Sequence, residues 1–283
     1  MRFGFGSKAV AASSDSYAAD LGDDAGSFAR DVIERLGRFA VDALPPLAVL
    51  VVLISAWEIY VATSGISRVT LPAPSQIFES ALRNRDLLWD HSLVTLKETV
   101  LGLSLSIVVA IGLALLIDAF APARRALYPL LVGSQTLPVV VIAPLIILWF
   151  GFGLTPKILV VTLYTFFPIT VAFASGLAAT SDEALVLMRT LGANRLKTLT
   201  LLKVPQAMPY LFTGLRISVT YAMIGAVFAE WSGARAGLGI YILQMKNSFR
   251  TDMVLAAIFL IAILSLGLFV LVGIIERAAI RWR

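Results

Sequence analysis

Residues 180–215, TSDEALVLMRTLGANRLKTLTLLKVPQAMPYLFTGL, form a basic, helix-forming loop between two long apolar segments. Thr180 and Glu183 have the T-x-x-E spacing of a capping box, in which a hydroxyl and a carboxylate satisfy the free amides at a helix start. Good helix formers run from Glu183 to Leu191. Gly192 suits the left-handed position that stops a helix. Asn194 suits the cap of a second helix reaching about Val204. Pro205 lacks an amide proton and cannot join an interior helical ladder, so a bend is expected there. The small residues Gly192 and Ala193 form an exposed elbow rimmed by Arg189, Arg195, Lys197 and Lys203. Two capped helices and an elbow are more than a connector needs, so this loop, 180–209, reads as a surface for gripping a partner. The plain alternative is a solvated basic loop that only helps to set topology.

Composition puts this loop beside a membrane. Apolar residues make up 59% of the chain and charged residues 14%, where a soluble domain carries roughly a quarter charged. The apolar excess is gathered into windows near 44–64, 93–119, 127–150, 157–178, 210–231 and 253–275, each close to the ~20 residues that a helix needs to cross a bilayer. Six spans are therefore expected in residues 44–283. Pro138, Pro144 and Pro168 mark the third and fourth as kinked. With the N-terminus inside, 14 of the Lys and Arg residues fall in inside segments and 7 in outside ones. That bias predicts both termini and the 180–209 loop on the cytoplasmic side of the membrane.

Residues 1–43 read as a cytoplasmic tail. Asp15, Asp20, Asp23, Asp24, Asp31 and Glu34 interrupt it, so no signal peptide is expected. Phe28, Val32, Leu36 and Phe39 recur at helical spacing and fit a helix lying on the membrane surface. Of the outside loops, 65–92 suggests a short amphipathic helix capped by Ser75, and 234–251 suggests a second one.

Chemistry is narrowly bounded. There is no cysteine and one histidine, His91, so disulfides, thiolate metal sites and histidine clusters are excluded. Gly192–Thr198 reads G-A-N-R-L-K-T and lacks the second glycine of a phosphate-cradling loop. No ATP site, cofactor, metal or nucleic-acid partner is expected in this chain. Polar and aromatic groups at membrane depth usually face a pathway or a partner. Glu230 and Trp231 lead that list, as a carboxylate that bonds a heterocycle and a ring that stacks on it. An interfacial Trp beside a solvated Glu is the alternative. Gln135 and Pro138, with Ser134 and Thr136, line a path or bridge helices. Tyr164 and Phe167, with Phe166, form an aromatic patch that packing alone can explain. Lys97, Glu98 and His91 read as interfacial. Arg216 either snorkels inward or pairs with Asp118.

RTLGANRLKTLTLLKVPQAMPYLFTGLRIS resembles the cytoplasmic signature loop of permease subunits in type I ABC importers. The resemblance rests on Arg189, Leu191, Gly192, Ala193, Arg195, Val204, Pro205, Pro209, Gly214, Leu215 and Arg216. Val186, Leu187 and Met188 occupy the positions of that signature's E-A-A, so no signature glutamate is carried over. LPAPSQIF and LPVVVIAPLIILWFGFGLTPKI are similar to the nitrate, sulfonate and taurine permease group. The run from Gly225 to Gly239 resembles the subgroup tied to the pyrimidine precursor of thiamine and to riboflavin-type compounds. The resemblance covers most of residues 40–280. It implies an all-α permease of six transmembrane helices in a bacterial inner membrane, with a coupling helix between spans 4 and 5. It also implies a second copy of the permease, two ATP-binding subunits that use ATP and Mg, and an external solute-binding protein. Arg189, Leu191, Gly192, Ala193, Asn194, Arg195 and Pro205 would then meet the ATPase. The implied solute is a small heterocycle, with nitrate, sulfonate or taurine as alternatives. A stand-alone secondary transporter or channel would need a repeated half or mid-membrane ion-coupling carboxylates, and neither is evident.

Overall fold

A computed structural model describes residues 44–281. The surface helix expected near 27–41 lies outside the described residues. The described residues divide into two units, with the boundary between Gly65 and Ile66. In the first, α1 (Leu44–Ser64) is 21 residues long with a mean hydropathy of 1.9. Its leucines and valines are largely exposed, as suits a helix solvated by lipid.

The second unit is built on three long helices, α3 (Arg85–Ala119), α6 (Leu154–Ala178) and α9 (Val204–Trp231). Small residues let them approach closely. A Cβ on Gly214 of α9 would stand 2.8 Å from the Pro168 carbonyl of α6, and one on Gly102 of α3 would stand 2.5 Å from the Val161 side chain. The contact row of α9 runs Gly214, Ser218, Ala222 and Ala226, all buried. Ser218 also donates to the Thr165 carbonyl at 2.8 Å. Small residues at four-residue spacing suit helix pairing in lipid, where close packing and hydrogen bonds stand in for the hydrophobic effect. α11 (Thr251–Ala279) runs along the perimeter, with little of its surface buried.

Five described helices are long and apolar enough to cross a membrane. The expected third span is not one kinked helix. It is a pair, α4 (Ala121–Ser134) and α5 (Val139–Phe150), bent by 101°. α4 stops at Ser134 with Gln135 as its C-cap, and Pro138 is the N-cap of α5, a position where its missing N–H costs no helical bond. Pro144 and Pro168, by contrast, lie inside continuous helices. The second span starts earlier than expected, so His91, Lys97 and Glu98 lie within α3.

Two expected caps move by one or two residues. α2 (Pro74–Arg83) starts with Ala73 as N-cap and Pro74 in its first turn, which puts Ser75 inside the helix. Proline fits the first turn because that amide has no helical partner. Ser181, not Thr180, caps α7 (Asp182–Thr190), accepting from the Ala184 amide at 3.3 Å. Thr180 instead donates to the Leu177 carbonyl at the end of α6.

Candidate functional site

The elbow is capped on both sides. Gly192 has φ +73°. Its N–H bonds the Arg189 carbonyl, and the Ala193 N–H bonds the Met188 carbonyl, both at 2.9 Å. These two bonds define a Schellman stop. Asn194 then caps α8 (Arg195–Thr198), its Oδ1 accepting from the Lys197 amide at 2.8 Å. α7 and α8 bury none of their side chains, and Leu187, Leu191 and Leu196 are 59–71% exposed. Exposed leucines on a rigid, basic turn are unusual unless something covers them.

The bend expected at Pro205 does not form. α8 passes through a π-helical turn, Leu199–Lys203, straight into α9, so Arg195–Trp231 is one 37-residue helical run. The Val204 N–H bonds the Leu199 carbonyl five residues back, and this wider turn admits Pro205 without a break. Arg189, Leu191, Gly192, Ala193, Asn194 and Arg195 therefore gather at the elbow, while Pro205 lies on the helix beyond it. Lys203 ties this helix to the end of α3 through both oxygens of Asp118, at 2.6 and 2.8 Å. Of the two alternatives read for Arg216, the pairing with Asp118 does not form. Arg216 instead meets Glu276 of α11 at 2.7 Å and lies over the Phe269 ring.

At the opposite end of α9, Glu230 is fully buried. Its Oε1 accepts from the Thr95 hydroxyl at 2.6 Å, and its Oε2 accepts from the Gly239 amide at 2.5 Å. Thr95 Oγ1 accepts from the Leu238 amide at 2.8 Å, and His91 Nδ1 accepts from the Gly237 amide at 2.9 Å. These three amides lie at the start of α10 (Leu238–Asn247). Its first turn is therefore capped by residues from α3 and α9 rather than by neighbours in sequence. Free amides and the positive helix end make this a favourable place for a carboxylate. Gly237 has φ +125°, and a Cβ there would overlap the Glu230 carboxylate.

Beside this cap lies a buried ion pair, Lys157 to Glu98 at 2.6 Å. Sequence reasoning missed Thr95, Glu98, His91 and Lys157 as one unit. The available signal was charge at membrane depth: Glu98 and Lys157 each interrupt an apolar run. An opening of about 750 Å³ lies alongside, lined by residues that include Phe152, Lys157 and Arg235. Trp231 donates its indole N–H to the Gly239 carbonyl at 3.0 Å, and its ring meets Phe228, which stacks on Tyr164. Tyr164, Glu230 and Trp231 are thus brought to one region, with Glu230 turned towards α3 and α10. Gln135 and Pro138 lie exposed at the α4–α5 break. Val139, the next residue, packs in the cluster that holds Tyr164. Phe167 is half-buried within α6. Among the described residues no group of three or more His, Asp or Glu side chains could hold a metal.

Residues 102–281 match the family described as "Binding-protein-dependent transport system inner membrane component". The chain is 39% identical to the formylaminopyrimidine transport permease protein ThiX of Halalkalibacterium halodurans, over 85% of this chain and 96% of the relative. It is 37% identical to the riboflavin transport system permease protein RibX of Chloroflexus aurantiacus, over 88% and 94%. The taurine transport system permease protein TauC of Escherichia coli is 28% identical, over 83% and 88%. Among solved structures, an amino acid ABC transporter with histidines aligns with a TM-score of 0.56 at 16% identity, over 72% of this chain and 97% of that one. The inward-facing MetNI methionine ABC transporter aligns with a TM-score of 0.55 at 18% identity, over 69% and 94%. These structural matches speak for the fold alone.

Proposed function

From a chain that belongs to the family of binding-protein-dependent transport system inner membrane components, and so is a permease subunit of an ABC importer, we propose a lever mechanism and a solute class. The observation that carries the mechanism is the unbroken helical run from Arg195 at the elbow to Trp231 at the far end, on the order of 55 Å at 1.5 Å per residue.

An ATP-binding subunit grips the elbow of each of two permease copies. Leu187, Leu191 and Leu196 enter its groove, Gly192 and Ala193 allow close approach, and Arg189 and Arg195 contact the rim. When ATP closes the two ATPase subunits, the elbows are drawn together. The helix carries that displacement because α9 is seated against α6 along Gly214, Ser218 and Ala222. At the far end, Glu230 takes the start of α10 with it. Transport is then a shift between two packed states, driven by a partner that favours one of them. An external binding protein delivers the solute.

The proposed solute is a small heterocycle of the thiamine-pyrimidine type. Two relatives whose names specify formylaminopyrimidine and riboflavin support this, as does the aromatic series Tyr164, Phe228 and Trp231. A second reading, a sulfonate such as taurine, is favoured by Arg235 and Lys157 at the far opening. It is weakened because Glu98 already engages Lys157.

Reconstitution in vesicles with the cognate ATPase and binding protein tests both parts. ATP-dependent uptake of formylaminopyrimidine in preference to taurine is expected. The paired change Gly192→Trp and Ala193→Asp should abolish ATPase capture. Normal capture and turnover in that variant would overturn the lever, and preferential taurine uptake would overturn the solute class.

A further inference from the structure

We propose that the cleft between α9 and α11, at the end of the bundle that carries the elbow, binds the phosphate headgroup of an anionic phospholipid. The cleft is lined by Arg216, Glu276, Arg277, Ile280 and Arg281 and encloses about 510 Å³. Three guanidinium groups face one carboxylate, and that carboxylate is occupied by Arg216. The net charge of the lining favours an anion. Guanidinium groups match phosphate oxygens in geometry as well as charge.

Arg216 is held ready for such a ligand. Its side chain lies over the Phe269 ring, 5.5 Å from the centroid. Gly273 leaves room for it, since a Cβ there would stand 3.2 Å from Arg216 Nη2. Its Nε is buried and has no hydrogen-bond partner among the described residues. Glu276 Oε2 pairs with Nη2 by charge at 2.7 Å but completes no hydrogen bond, so the Nε donor stays unused.

A lipid, rather than a free phosphate, is indicated by the surface that leads to the cleft. Ile263, Leu266, Val270 and Ile274 are 51–64% exposed. Their spacings of three and four residues put them on one face of α11. Arg277 continues the same face one turn further on. A stripe of hydrocarbon contact that ends in arginines matches acyl chains below a charged headgroup, and basic pockets between spans are known to take such headgroups. An inorganic anion would use the arginines and leave the stripe without a role.

The test uses the full-length protein in nanodiscs or detergent, with binding of phosphatidylglycerol and phosphatidylcholine read by native mass spectrometry. Wild-type protein should retain phosphatidylglycerol in preference to phosphatidylcholine. Arg277→Gln with Arg281→Gln should weaken that binding by about 25-fold, at roughly fivefold for each arginine near the surface. Both arginines are exposed, so the fold should survive. Arg277→Lys with Arg281→Lys should keep most of the affinity. Equal retention of the two lipids, or undiminished phosphatidylglycerol binding in the double glutamine variant, would overturn the proposal. Displacement of phosphatidylglycerol by millimolar inorganic phosphate would also overturn it, assigning the cleft to a free anion.

Discussion

Thr95 and Glu230 are 135 positions apart in sequence and 2.6 Å apart in space. Their bond joins α3 to α9 and, through the Leu238 and Gly239 amides, fixes the start of α10. Each residue accepts from one amide of the first turn of α10. Thr95 donates to Glu230 and accepts from Leu238, so one hydroxyl serves both functions.

Removing that carboxylate breaks the arrangement. Glu230→Leu leaves the Gly239 N–H without its acceptor. A buried polar group left unpaired costs about 1–3 kcal/mol. Hydrogen exchange should quicken at the amides of Gly237, Leu238 and Gly239 while α6 stays protected. Unchanged protection at those three amides would remove Glu230 from the cap.

Lys157 and Glu98 should behave as a unit. Lys157→Met leaves a buried carboxylate without its cation, a change that typically costs about 3–5 kcal/mol. Adding Glu98→Gln removes the stranded charge and should recover part of the loss. Denaturant unfolding of the two single variants and the double variant gives the coupling directly. Additive losses would mean that the two groups act independently.

The elbow has a conformational requirement at one residue. Gly192→Ala puts a Cβ on a left-handed backbone and should cost about 1–2 kcal/mol locally. Gly192→Asn should be milder, since asparagine visits this region more readily. Asn194→Ala should cost about 1 kcal/mol by removing the cap of α8. Capture of the ATPase by immobilised protein should fall in the order wild type, Gly192→Asn, Gly192→Ala. An inverted order would argue against elbow geometry as the determinant.

Charge exchange separates the observed ion pair from the one that the sequence suggested. Asp118→Lys and Lys203→Asp should each reduce folded yield, and together they should restore it. Exchanging Asp118 with Arg216 should restore nothing, because Arg216 is paired with Glu276. Rescue by the second exchange, read as monodisperse protein on size-exclusion chromatography, would contradict the pairing.

Two glycines within long helices should respond differently to the same change. Gly214→Ala pushes a methyl group to 2.8–2.9 Å from Pro168 and Ala172, whereas Gly267→Ala meets nothing within 4 Å. Overpacking of the first kind costs about 1–3 kcal/mol. Thermal unfolding in detergent should show a lower Tm for Gly214→Ala alone. Equal behaviour of the two variants would mean that the α6–α9 seam is looser than its geometry indicates.

Local chemistry accounts for what could be read from the chain unaided. Apolar runs interrupted by polar loops mark helices that cross a bilayer, because a backbone in lipid must satisfy its own hydrogen bonds. Gly192 and Asn194 announce the elbow because a helix stop and a helix cap each depend on one residue's φ or side chain. Pro205 misled for the same reason: its own amide forbids a regular ladder, but the π turn of its neighbours absorbs the defect. Pro138 and Pro168 look alike in sequence, yet Pro138 opens a helix at the 101° bend, while Pro168 lies inside one. The α10 cap, the Glu98–Lys157 pair and the partners of Arg216 and Asp118 were decided by tertiary structure. Each joins residues tens to more than a hundred positions apart. Which acid meets which base at that range depends on how α3, α6, α9 and α11 pack, and no spacing within a single helix encodes it.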